Sequence, residues 1–267
     1  VYLDKDEIAL FPNQFVMLVS LANEKKTALA RFFNYRKPLG HIIDYSSKKW
    51  KIKSRNKEQD FALNLLMDPK VNIITLIGPA GTGKTMIALY AGLCQAVDDW
   101  HTVIPKQAQY NRLIVTRPIQ PMGKDIGYLP GTLEEKMSPW VAPINDNLQF
   151  LLGNGRDSLK EYVNEGIIEI EALTYIRGRS INNAFIVVDE IQNMTAHELK
   201  TVITRVGENS KIVLMGDIEQ IDNVYIDETT NGLTYAVEKF KKHDIAGHIT
   251  LTRGERSKVA TLAAKIL

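Results

Sequence analysis

The sequence predicts an α/β domain, a parallel sheet flanked by helices, preceded by a small β-rich arm. Three observations carry this reading. From Val71 onward, six short apolar runs alternate with longer helical patterns. Those runs are uninterrupted rather than alternating, as strands covered on both faces of a parallel sheet must be. The first 53 or so residues are punctuated differently, by turn residues every few positions.

In the arm, Phe15 to Val19, Ala28 to Phe33 and Gly40 to Ile43 are the strand-like stretches. Pro12-Asn13, Asn23-Glu24 and Lys37-Pro38-Leu39-Gly40 separate them. A basic stretch, Lys48 to Lys57, leads into a helix over Glu58 to Met67 that Asp68-Pro69 stops. The sheet strands are expected at Val71 to Ile77, Arg112 to Thr116, Ile167 to Ala172, Ala184 to Val188, Lys211 to Met215 and His248 to Leu251. Helices are expected at Thr85 to Val97, Leu133 to Leu152, Thr195 to Val206, Gly232 to Lys242 and Glu255 to Leu267. Thr195-Ala196-His197-Glu198 has capping-box spacing. The resulting division is an arm, 1–53, and one domain, 54–267.

Composition bounds the function classes. The 267 residues include 33 Lys+Arg against 31 Asp+Glu, with 45% hydrophobic and 24% charged residues, which supplies a sizeable core. Disorder, collagen-like repeats and coiled coil are excluded. No apolar run approaches the ~18 residues of a membrane span, and no signal-peptide pattern opens the chain. A net charge of +2 does not indicate a strongly basic nucleic-acid binder, although a local basic stripe is compatible with it. The single cysteine, Cys94, cannot form an internal disulfide, which favours a cytoplasmic setting. The chain begins without Met and is expected to be part of something longer. The histidines show no metal spacing, and Cys94 reads as an apolar filler.

The chemistry concentrates at Gly78-Pro79-Ala80-Gly81-Thr82-Gly83-Lys84-Thr85, which fits G-x-x-x-x-G-K-[ST] throughout. A chance match in a chain this long is roughly one in a hundred at ordinary residue usage. A buried strand enters the motif and a helix beginning at Met86 leaves it. Glycines let backbone N–H groups turn inward around phosphates, and the helix dipole favours their charge. Lys84 would neutralise the β- and γ-phosphates, and Thr85 would hold Mg²⁺. The strand Phe185 to Val188 ends in Asp189-Glu190, placing a carboxylate at the ligand-binding edge of the sheet. Asp189 is the second metal ligand, and Glu190 can orient or deprotonate an attacking water. A third strand ends in Gly216-Asp217-Ile218-Glu219-Gln220; lying beside the other two, it would let Gln220 touch both γ-phosphate and water. The plainer reading of that segment is an Asx turn at Asp217.

These motifs resemble the nucleotide core of superfamily-one helicases, a RecA-like P-loop NTPase fold. Val115-Thr116-Arg117-Pro118, Tyr175-Ile176-Arg177-Gly178-Arg179-Ser180 and Asp189-Glu190-Ile191-Gln192-Asn193 narrow the resemblance to the PhoH-like ATPases, over about residues 50 to 267. Ile191 stands where many relatives have Ala. Arg55-Asn56-Lys57-Glu58-Gln59 is similar to the family's upstream glutamine motif, implying that Gln59 reads the adenine edge of ATP. The resemblance further implies coupling to single-stranded RNA, with Thr116 and Arg117 on the nucleic-acid backbone. Long members carry a PIN-type ribonuclease domain in front. Residues 1–53 lack the spaced carboxylates such a nuclease needs, and Leu10-Phe11-Pro12-Asn13-Gln14 resembles the connector between the two domains. The expectation is therefore an ATPase half that does not itself cut RNA.

A P-loop motor needs an arginine on the transferring phosphoryl group, often donated by a neighbour. One core supplies one lobe, so a homo-oligomeric ring, with a hexamer as one form it can take, is the expected assembly. The candidates are Arg253, Arg256, Arg177 and Arg179, the last two also as γ-phosphate contacts. The loop Gln120 to Thr132, with Lys124 and Tyr128, either tracks a strand or is a plain connection. Two readings of other classes stay open: a P-loop kinase with a small acceptor, and a slowly hydrolysing, nucleotide-regulated binding module.

Overall fold

The computed structural model describes residues 2–3, 8–44, 52–97, 109–118, 133–153, 156–173, 180–223 and 225–254. The helix expected over Glu255–Leu267 lies outside them. The arm is a three-stranded antiparallel sheet of β1 (Phe15–Ser20), β2 (Asn23–Arg31) and β3 (Gly40–His41), in that order. Then follow α1 (Lys57–Leu66), β4 (Ile73–Ile77), α2 (Lys84–Ala96), β5 (Arg112–Arg117), α3 (Leu133–Leu152), α4 (Arg156–Asn164) and β6 (Ile168–Ala172). The chain continues through β7 (Ala184–Val188), a 3₁₀ turn at Ile191–Asn193, α5 (Ala196–Ile203), β8 (Lys211–Gly216), α6 (Gly232–Phe240) and β9 (Ala246–Thr250). Among the described residues no helix is long and apolar enough to cross a membrane.

Strands β4 to β9 form one parallel sheet in the order β6-β5-β7-β8-β4-β9. Successive side chains on a strand point to opposite faces. In β7, Phe185 and Val187 join a core built with Leu63, Leu89 and Leu148 from α1, α2 and α3. Ile186 and Val188 join a second core with Leu199 and Leu233 from α5 and α6. Two buried faces explain the uninterrupted apolar runs. Register brings the carboxyl ends of the central strands to one edge: Ile77 lies opposite Gly216, and Val188 opposite Leu214. Cys94 is buried in α2, and burial pushes its thiol up to about 12.

The arm is bound to the core by specific polar contacts. Asn13 Nδ2 donates to the carbonyls of Asp244 (2.7 Å) and Ala246 (2.6 Å), covering the start of edge strand β9. Arg31 donates to Asn13 Oδ1 (2.6 Å) and pairs with Asp68 (2.8 Å). Asn64 of α1 pairs with both backbone groups of Ile43, and Phe15 stacks on Phe61 of the same helix at 4.3 Å.

Some elements differ from expectation. The β1–β2 turn falls at Leu21–Ala22, and β2 starts at Asn23, ahead of the expected Ala28, because extended backbone needs no apolar side chains; Ser20 faces Asn23 and, across a register shift, Val19 faces Thr27. Helix α4 was not foreseen; its nine residues carry only Leu159, Tyr162 and Val163 as an apolar stripe. Helix α5 stops at Ile203 rather than Val206, because Val206 is drawn into a parallel bridge with Ile181.

Lys211 is fully buried, with Nζ donating to the carbonyls of Leu66 (2.6 Å) and Asp68 (2.8 Å) at the end of α1. Burial lowers its pKa to about 7, despite the Asp68 charge. Between about 7 and the ordinary value near 10.5 the unfolded chain holds the extra proton, so stability rises with pH there. Chemical denaturation at pH 7.5 and 9.5 is expected to show that rise in wild type and a flatter dependence in Lys211→Met.

Candidate functional site

Strand β4 leaves the sheet into the loop Gly78–Gly83 and returns as α2. Gly81 and Gly83 have φ of 82° and 89°, the left-handed region in which a Cβ is penalised. A Cβ on Gly78 would collide with the backbone carbonyl of Leu251. The first N–H groups of a helix have no intrahelical acceptor. In α1, α5 and α6 a side chain meets this need, from Asn56, Thr195 and Asn231 respectively. The N-cap of α2 is Gly83, which has no side chain to offer, so its first turn opens into a cleft of about 740 Å³.

The residues singled out by motif converge on that cleft. Gln59, Ala80, Gly81, Gly83, Lys84, Thr85, Met86, Asp189, Glu190 and Gln220 all line it, while Gly78, Pro79 and Thr82 complete the loop. Lys84 Nζ donates to the carbonyls of Gly78 and Pro79, the latter at 3.0 Å. Thr85 Oγ1 donates to Asp189 Oδ2 at 3.3 Å. Burial raises the Asp189 pKa, and the neighbouring Glu190 charge adds to the shift; Arg117 and Lys84 oppose it. Gln59 Nε2 donates to the Thr82 carbonyl (3.0 Å), and its Oε1 accepts from the Arg55 N–H (2.8 Å). Gln59 thus ties the phosphate loop to Arg55 through both ends of its amide.

Glu190 sits in the left-handed region at φ 57°. Its carboxylate is held from two sides, by Arg117 at 3.2 Å and by Gln192 Nε2 at 2.6 Å. This corrects the nucleic-acid role implied for Thr116 and Arg117: Thr116 is fully buried, and Arg117 is engaged with Glu190. Arg177, Arg179 and Arg256, with the loop Gln120–Thr132, lie outside the described residues. Arg253 is exposed.

Two connections escaped the sequence reading. Fully buried Gln192 also donates to the Gln220 carbonyl (3.1 Å) and accepts from the Asp217 N–H (3.2 Å), tying the β7 and β8 loops together. A side chain on Gly216 would strike its Oε1. Asp217 does form the Asx turn, accepting from Glu219 N–H, but its Oδ2 also accepts from Ala80 N–H at 3.1 Å. Only the Gln next to the Asp-Glu pair, on a turn facing the β8 loop, signalled the first of these.

The Thr85 hydroxyl and Asp189 carboxylate form a hard oxygen pair suited to Mg²⁺, which takes one or two protein ligands and fills its octahedron with water and phosphate. Among the described residues no three His, Cys, Asp or Glu side chains cluster to cage a metal outright.

A glycine-bounded phosphate loop between a buried parallel strand and an uncapped helix, facing a carboxylate one strand beyond its neighbour, defines a P-loop nucleotide-binding domain. The PhoH-like protein family matches residues 51–266, and the chain belongs to that family. It is 47% identical over 266 residues to Protein PhoH2 of Bacillus subtilis, covering 99% of this chain and 58% of that protein. It is 40% identical over 217 residues to Protein PhoH2 of Thermobispora bispora, covering 81% and 47%. The chain thus spans about half the length of these curated relatives. Among solved structures, Bacteroides sp Pif1 in complex with ADP-AlF4 aligns with 79% of this chain and 45% of its own, at 14% identity and TM-score 0.34, a likeness too remote to inform activity.

Replacing Gln192 with Leu keeps its bulk but leaves the buried Asp217 N–H without its acceptor and frees Glu190 on one side. Unfolding free energy is expected to fall by about 1–3 kcal/mol in urea titrations.

Proposed function

We propose that the chain is a Mg²⁺-dependent ATPase whose catalytic unit spans 54–267, with residues 1–53 as a connector docked against it. The observation that supports this best is the meeting of Lys84, Thr85 and Asp189 around an uncapped helix start. Mg²⁺ bound by Thr85 and Asp189 would neutralise charge on the β- and γ-phosphate oxygens. Lys84 exchanges its two backbone carbonyls for those oxygens. Glu190, held by Arg117 and Gln192, orients a water in line with the γ-phosphorus and takes its proton as the new P–O bond forms and the bond to ADP breaks. Gln220, exposed at the cleft mouth on a loop tied to Gln192, senses whether the γ-phosphate is present.

A carboxylate fixed in this way suits water better than transfer to an acceptor, which favours hydrolysis over the kinase reading. Coupling to single-stranded RNA, and a cytoplasmic homo-oligomeric ring in which an arginine comes from the next copy, are proposed from the family resemblance. Arg253, Arg256, Arg177 and Arg179 are the candidates for that arginine.

Lys84→Ala is expected to weaken Mg·ATP binding at least tenfold, whereas Glu190→Gln keeps binding and loses about 10²–10⁴-fold in turnover. Titration calorimetry with phosphate-release assays, with and without single-stranded RNA, measures both. Unchanged turnover in Glu190→Gln contradicts the mechanism, and no stimulation by RNA removes the motor reading alone.

A further inference from the structure

The cleft, about 740 Å³, is lined well beyond the phosphate loop itself. Its carboxylates, Asp189, Glu190 and Asp217, all belong to the edge where β7 and β8 end. The rest of the lining comes from Ile52, Lys53 and Arg55 on the approach to α1, from Met86 of α2, and from Asn147 and Phe150 of α3. Phe150 stands out there. It belongs to α3, whose neighbours Ile144, Leu148 and Leu151 are buried in the core, yet its own ring is 69% exposed. An apolar ring left in water on the wall of a polar cleft is a ready stacking surface for a planar heterocycle. One turn earlier on α3, Asn147 donates one Nδ2 hydrogen to the Pro143 carbonyl (2.8 Å), which leaves its second N–H and its Oδ1 as a donor and an acceptor at the same wall.

We propose that Phe150 is the platform on which the nucleobase of the bound nucleotide stacks, with the Asn147 amide beside it on the same wall. This deepens the ATPase reading and rests on it. The base is then carried by α3, while Gln59 acts on the loop and Lys84 on the phosphates, so base and phosphate binding are separable.

The test compares Mg·ATP and Mg·tripolyphosphate binding by calorimetry in wild type, Phe150→Ala and Phe150→Trp. Phe150→Ala is expected to weaken ATP about tenfold. It should leave tripolyphosphate within twofold, and Phe150→Trp should restore ATP. Undiminished ATP affinity in Phe150→Ala overturns the proposal. So does an equal loss for both ligands in Phe150→Ala that Phe150→Trp fails to rescue, which would mark the ring as structural. Failure of wild type to bind tripolyphosphate sinks the phosphate-loop reading itself and this proposal with it.

Discussion

The start of α2 imposes the constraint around which the rest is arranged. A helix packed into the core must still satisfy the N–H groups of its first turn, and here the position that would carry a capping side chain is a left-handed glycine. The loop's own groups are engaged instead by nearby side chains. A carboxylate, Asp217, accepts from the Ala80 N–H, and an ammonium, Lys84, donates to the Gly78 and Pro79 carbonyls. A phosphate would contest Ala80 with Asp217 and would offer Lys84 an anion in place of neutral carbonyls. The added attraction between opposite charges, little screened at a buried site, draws the exchange at Lys84 toward the ligand.

Sheet order turns that local arrangement into a device. Because β8 lies between β4 and β7, the loop that carries Asp217 and Gln220 touches both the phosphate loop and the Asp189-Glu190 turn. Gln192 closes the circuit with three hydrogen bonds, one to Glu190 on its own turn and two to the β8 loop at Asp217 and Gln220. Any shift of the β8 loop would reach Glu190 through one buried amide. Behind the loop, α1 is gripped by the arm through Phe61 and Asn64 and reaches Thr82 through Gln59, so the arm is in mechanical contact with the site from the opposite side.

Much of this was legible in the sequence because it follows from local pattern. Apolar runs placed six strands within a few residues, and the phosphate loop, Asp189 and Glu190 came from spacing alone. The antiparallel arm was legible from its turn residues, although the charged start of β2 was not, since a ladder can run on where no side chain is buried. Helix α4, short and mostly charged, carries too little apolar signal to be read. The partners of Glu190 were hidden for another reason. Arg117 and Gln192 sit at strand ends whose neighbours are set by sheet order, and no periodicity encodes which loop a buried amide will meet. Thr116, which the family resemblance sets on a nucleic-acid backbone, is fully buried, since a strand inside the sheet is covered on both faces up to its last residues.

The described residues contain a second cavity of about 310 Å³, between Phe11–Gln14 of the arm and the β9 face that carries His248, whose pKa burial lowers to about 4. That alternative makes the decisive measurement a spatial one. In ¹⁵N-labelled protein titrated with Mg²⁺ and a non-hydrolysable ATP analogue, the account predicts the largest amide shifts at Gly81, Gly83 and Thr85. Shifts centred instead on Asn13, Gly247 and His248, with the phosphate loop unmoved, would contradict it.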